Sequence, residues 1–108
     1  GVVCANLTYD ILRAIETVHQ AYGFYGYDCW ITSLFEGKHK ARSLHSRDGL
    51  CRAADFRTWH LPAALKPILL TDLMAVLARL GPHYEVYYES KPEHFHVEYD
   101  VRISKTLA

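Results

Sequence analysis

The absences in this sequence narrow the field first. No segment approaches the roughly 20 consecutive apolar residues of a membrane-spanning helix, so no membrane partner is expected. Twelve Lys and Arg balance twelve Asp and Glu, which argues against a general polyanion binder, and no nucleic-acid partner is expected. No two of Cys4, Cys29 and Cys51 stand in a CxxC spacing, which disfavours a thiolate zinc site; the three read as free thiols in a reducing compartment. There are no internal repeats, low-complexity stretches or linkers. The N-terminus lacks a basic region leading into an apolar core and a cleavage site, so synthesis in the cytoplasm is expected.

What is present fits one domain, residues 1–108. Half the residues are apolar, and a chain of this length buries roughly two thirds of its unfolded surface without a disulfide framework. Leu7, Ile11, Ile15 and Val18 recur at helical spacing, predicting a helix over 6–21 capped by Asn6 or Thr8. Tyr22 to Tyr27 read as a turn and Trp30-Ile31-Thr32 as a short strand. Residues 34–52 are polar and basic, a long loop of the kind that usually carries function. Ala53 to Thr58 form the next strand. Pro62 and Pro67 bracket a second helix through Leu69, Leu73, Val76, Leu77 and Leu80, which Gly81-Pro82 stops. Strands are predicted at Tyr84 to Glu89 and at His94 to Val101, joined by a turn at Ser90-Lys91-Pro92. The order predicts an α+β fold, with helices packed on one face of a small antiparallel sheet.

Two segments carry chemistry: SLHSRDGLCRAADFRT, with Ser43, His45 and Asp55, and EHFHVEYD, with Glu93, His94 and His96. His94 and His96 are two apart on a strand, so both imidazoles leave the same face. By itself such a pair is more often two surface histidines than a metal site. Asp55 sharpens the reading, because a carboxylate at the start of an apolar strand needs a partner, and a metal ion is one. Two imidazoles and a carboxylate around one open position make the arrangement of a hydrolytic zinc site.

These residues resemble the M15-type, or D-alanyl-D-alanine peptidase, group of zinc enzymes. Its pattern is SxHxxGxAxD followed by HxH or ExxH. The group includes cell-wall carboxypeptidases, dipeptidases and phage endolysins, and the zinc domain of Hedgehog proteins shares its architecture. Trp30-Ile31-Thr32-Ser33 is similar to the strand before the site, and Asp55-Phe56-Arg57-Thr58 to the strand after it in short phage-encoded members. The resemblance runs from the first helix to about Asp100. It implies Zn2+ held by His45, Asp55 and His96, and Ser43 as a loop support or substrate contact. The base is Glu93 on the ExxH pattern or His94 on the HxH pattern. Glu93 is favoured, with His94 as an auxiliary acid/base. A regular strand puts Glu93 on the face opposite His96, so it acts only if Pro92 delays the strand or a bulge turns it. One departure stands out: nine residues separate His45 from Asp55 where the family has six, which leaves Asp48 as a rival ligand.

Lys38, Lys40, Arg42, Arg47, Arg52 and Arg57 surround the first motif. Most read as a solvated loop; Arg42, beside Ser43, is the best candidate for a substrate carboxylate or a developing oxyanion. His19, His60 and His83 read as incidental, and Tyr87 or Tyr88 as a wall of the cleft. The resemblance therefore implies a zinc peptidase acting on peptidoglycan stem peptides, at the bacterial cell wall if phage-encoded. The alternative is a non-catalytic zinc-binding or phage assembly module of the same fold. Nothing in the sequence sets the oligomeric state.

Overall fold

The computed structural model describes residues 6–35 and 50–102. Chain order is β1 (Asn6–Leu7), α1 (Tyr9–Phe24), β2 (Ile31–Phe35), β3 (Leu50–Cys51), β4 (Ala53–Arg57), α2 (Leu65–Leu80), β5 (Tyr84–Ser90) and β6 (Glu93–Tyr99).

Helix α1 begins at Tyr9 because Thr8 caps it: the Thr8 hydroxyl oxygen accepts from the Ile11 amide at 3.2 Å. Asn6 and Leu7, expected inside the helix, instead pair in parallel with Leu50 and Cys51. Ile11, Ala14, Val18 and Tyr22 form the buried stripe. The helix runs on through Gly23, since one helical glycine costs only about 1 kcal/mol and the extra turn buries Tyr22. Gly26, at φ +83°, then turns the chain as only glycine does readily.

Helix α2 buries Leu69, Leu73 and Leu77 at a spacing of four. Pro67 is tolerated because it sits in the first turn, where its missing N–H has no helical acceptor to lose. Gly81 closes the helix, donating its amide to the Leu77 carbonyl at 3.1 Å. A Cβ there would lie 3.3 Å from the Tyr84 ring, so a side chain fits only if that ring gives by a few tenths of an ångström.

The main sheet has the order β2-β4-β6-β5, antiparallel throughout. The period of two divides its residues. Ala54, Phe56, Phe95, Val97, Tyr84 and Val86 join Ile11, Val18, Leu69, Leu73 and Leu77 in one core beneath the helices. The predicted α+β layout of helices on one face of an antiparallel sheet is what is observed. Leu73→Ala should cost about 2–5 kcal/mol, the usual cost of a buried leucine, read as a lower midpoint in urea unfolding at unchanged slope.

Cys51 corrects the reading of three free thiols. It is disulfide-bonded, while Cys29 is a half-buried free thiol whose pKa burial pushes up to about 12. Spacing along the chain could not reveal this, because pairing depends on tertiary approach. Cysteine usage therefore no longer argues for a reducing compartment. Among the described residues, no helix is long and apolar enough to cross a membrane.

Candidate functional site

The face of the sheet turned away from the helices carries the polar residues. Register sets them in rows across the strands. Arg57 stands opposite His94, and His94 opposite Glu89; Ser33 stands opposite Asp55, Asp55 opposite His96 and His96 opposite Tyr87; Glu98 stands opposite Glu85. Antiparallel neighbours in such a row have Cβ atoms about 5 Å apart, close enough for direct side-chain bonds.

His96 is at the centre and fully buried. Its Nδ1 lies 2.8 Å from Asp55 Oδ1 and its Nε2 2.8 Å from Glu98 Oε1. The rings of Phe35 and Tyr87 lie against it, with centroids 5.2 and 4.8 Å away. A neutral imidazole has one donor, so it cannot donate to both carboxylates. Burial opposes charge on this ring and is the largest single influence. The hydrogen bonds and charges of Asp55 and Glu98 together outweigh it, so the pKa of His96 is raised.

His94 extends the chain. Its Nδ1–H donates to the Pro92 carbonyl at 2.5 Å, which fixes the ring. Its Nε2 lies 2.8 Å from Glu89 Oε1 and 3.5 Å from Asp55 Oδ1. The result is a line of alternating groups, Glu98, His96, Asp55, His94 and Glu89, along which every imidazole nitrogen but one faces a carboxylate. Tyr87 beside it has a raised hydroxyl pKa, from burial first and then from the charges of Glu89, Glu98, Glu85 and Asp55.

Of the expected zinc ligands, Asp55 and His96 are brought together, and His45 lies outside the described residues. So do Ser43, Arg42 and the rival Asp48. His94 joins the pair. Glu93 does not. Strand β6 starts at Glu93 without a bulge, in register with Ser90, so its carboxylate leaves on the helix side. There it accepts from the Thr58 hydroxyl at 2.8 Å and pairs with Lys66 Nζ at 2.5 Å. Tyr87, not Tyr88, borders the site; Tyr88 packs on Phe95 over the helices. His19 is exposed on α1, and His83 lies edge-on to Tyr99. His60 belongs to an aromatic stack with Tyr22 and Trp30.

Imidazole nitrogen and carboxylate oxygen are donor types that zinc takes. Three carboxylates line up with two imidazoles, with Arg57 on the same face, and a nitrogen–oxygen pair of ligand type stands at hydrogen-bond distance. Among the described residues, no three His, Cys, Asp or Glu side chains converge on one point that would hold an ion. The reason is geometric: the two nitrogens of His96 serve two different carboxylates, and His94 Nε2 is closest to Glu89. A third donor would have to come from elsewhere in the chain.

Glu98 and Glu89 were not singled out from the sequence. Glu98 was legible in principle, since His94, His96 and Glu98 continue one alternation with Phe95 and Val97 between them. Glu89 was not, because only the β5–β6 register brings it to His94. No family model, no curated protein and no solved structure matches the chain.

Proposed function

We propose that this chain is a zinc-dependent peptidase that hydrolyses peptidoglycan stem peptides, with Asp55, His96 and His45 as the metal-holding residues. The observation that carries the reading is the pairing of part-buried Asp55 with fully buried His96 at 2.8 Å, backed by Glu98 on the far nitrogen of the ring. A metal-ligating histidine commonly donates its other N–H to a carboxylate, which fixes tautomer and direction. The substrate class and the roles of Ser43 and Arg42 rest on the family resemblance. Zinc supplies Lewis acidity toward a carbonyl and makes water a nucleophile near neutral pH. The protein's own part is to hold and move a proton, and His94 Nε2, 2.8 Å from Glu89 Oε1, is the atom for it. Glu93 is assigned a structural role, tying the start of β6 to α2.

The test is metal content of the purified chain, followed by incubation with peptidoglycan fragments and mass spectrometry of the products. About one zinc per chain and a shortened or cut stem peptide are expected. Absence of metal after zinc loading sinks the reading. Tight zinc without turnover favours the second reading, a non-catalytic zinc-binding or phage assembly module. That reading draws on one observation, the turning of Glu93 away from the pair. Glu98→Gln should weaken zinc affinity about 10- to 100-fold, measured by competition with a chelating dye, because the ring of His96 loses its anionic support.

A further inference from the structure

Arg57 follows Asp55 by two residues on β4, so it leaves the sheet on the same face, opposite His94. Its guanidinium carbon lies 3.5 Å from the ring centroid of Trp30 and 3.5 Å from that of Trp59. The planar cation is clamped between two indoles. Behind Trp30 stands the His60 ring, 5.2 Å away and nearly parallel, whose Nε2–H donates to the Asp28 carbonyl at 2.8 Å. His60 in turn stacks on buried Tyr22, whose hydroxyl donates to the Arg57 carbonyl at 2.7 Å. The Trp30 side of the clamp is thus tied to the core, while Trp59 is exposed.

The guanidinium forms no ion pair and donates no hydrogen bond to a described residue, and its Nε is buried without a partner. Elsewhere the same chemistry is satisfied: Arg102 binds Asp100, and Lys66 binds Glu93. A bland packing role leaves this discrepancy unexplained, since buried donors without acceptors cost free energy. A clamped guanidinium has already given up its rotamer freedom, and its donor fork matches a carboxylate bidentately.

We propose that Arg57, held between the faces of Trp30 and Trp59, is the anchor for a carboxylate of the peptide substrate, next to the His94–Glu89 row. This rests on the peptidase reading of the site and deepens it. The carboxylate has two sources, the peptide's C-terminus or an internal acidic residue. A terminal anchor makes the enzyme a carboxypeptidase; an internal one leaves it free to cut within a chain.

The chain has only two tryptophans, and both form the clamp, so indole fluorescence reports binding there directly. Three synthetic stem-type peptides ending in D-alanyl-D-alanine are titrated into the zinc-loaded chain: the free acid, its C-terminal amide, and a form amidated at the internal acidic residue. One of the two amidations should weaken binding on the order of tenfold, equivalent to about 1.4 kcal/mol. Arg57→Gln should bind all three alike, and Arg57→Lys should keep part of the discrimination. Equal binding of all three peptides to the wild type, no binding at all, or undiminished discrimination by Arg57→Gln overturns the proposal. The wild-type comparison decides even if a variant fails to fold. Discrimination without cleavage sinks the peptidase reading and leaves the carboxylate anchor standing; cleavage at equal KM for all three does the reverse.

Discussion

His96→Ala should lower the stability of the metal-free chain by about 3–5 kcal/mol and, on the proposed zinc reading, abolish metal binding. His96 is fully buried between Asp55 and Glu98, each at 2.8 Å. Removing the ring takes the 2.8 Å imidazole contact from Glu98, only 2% exposed, and removing one partner from a buried charged pair costs that much. Set against a typical total of 5–15 kcal/mol for a domain, this is a large fraction. Urea unfolding of the chelator-treated protein checks it. A second variant separates electrostatics from packing: His96→Ala combined with Asp55→Asn and Glu98→Gln should be more stable than His96→Ala alone, because the two carboxylates that faced the imidazole no longer carry charge. If the triple variant is no better, the loss is a cavity effect and the carboxylates do not depend on the imidazole.

The sequence made the hydrophobic side of this fold readable and the polar side only partly so. Helix α2 was legible because Leu69, Leu73 and Leu77 repeat at helical spacing and proline and glycine mark its ends. Strands β4, β5 and β6 were legible from alternation and β-branched or aromatic content. The start of α1 was less so, because Asn6 and Thr8 are equally good caps on paper. The choice fell to the pairing of Asn6–Leu7 with Leu50–Cys51, a contact distant in sequence. At the site, the meeting of Asp55 with His96 followed from the motif. That His94 faces Glu89, and that His60 sits in an aromatic stack, depends on strand register and tertiary packing, which local spacing does not encode. The side of the sheet taken by Glu93 was decidable only once β6 was seen to begin at that residue without a bulge.

That last point sets the sharpest kinetic comparison. On the proposed peptidase reading, His94→Gln should retain zinc and lose kcat by roughly two to four orders of magnitude, the usual scale for a general acid/base. Glu93→Gln should keep kcat within a few-fold of wild type and instead lose roughly 1 kcal/mol of stability, the scale of one net hydrogen bond. The pH dependence separates the two roles further. Lys66's hydrogen bond, the largest influence, holds the Glu93 carboxyl below its ordinary value of 4.5; burial opposes this and Thr58 reinforces it. A carboxyl whose pKa is depressed on folding contributes stability above its unfolded pKa and loses it as pH falls through the folded value. Wild type should therefore exceed Glu93→Gln in stability at neutral pH, and the gap should close on acidification below about pH 4. If instead Glu93→Gln is inactive with zinc bound and stability unchanged, the carboxylate reaches the substrate side during turnover, and the proton passes through Glu93 rather than His94.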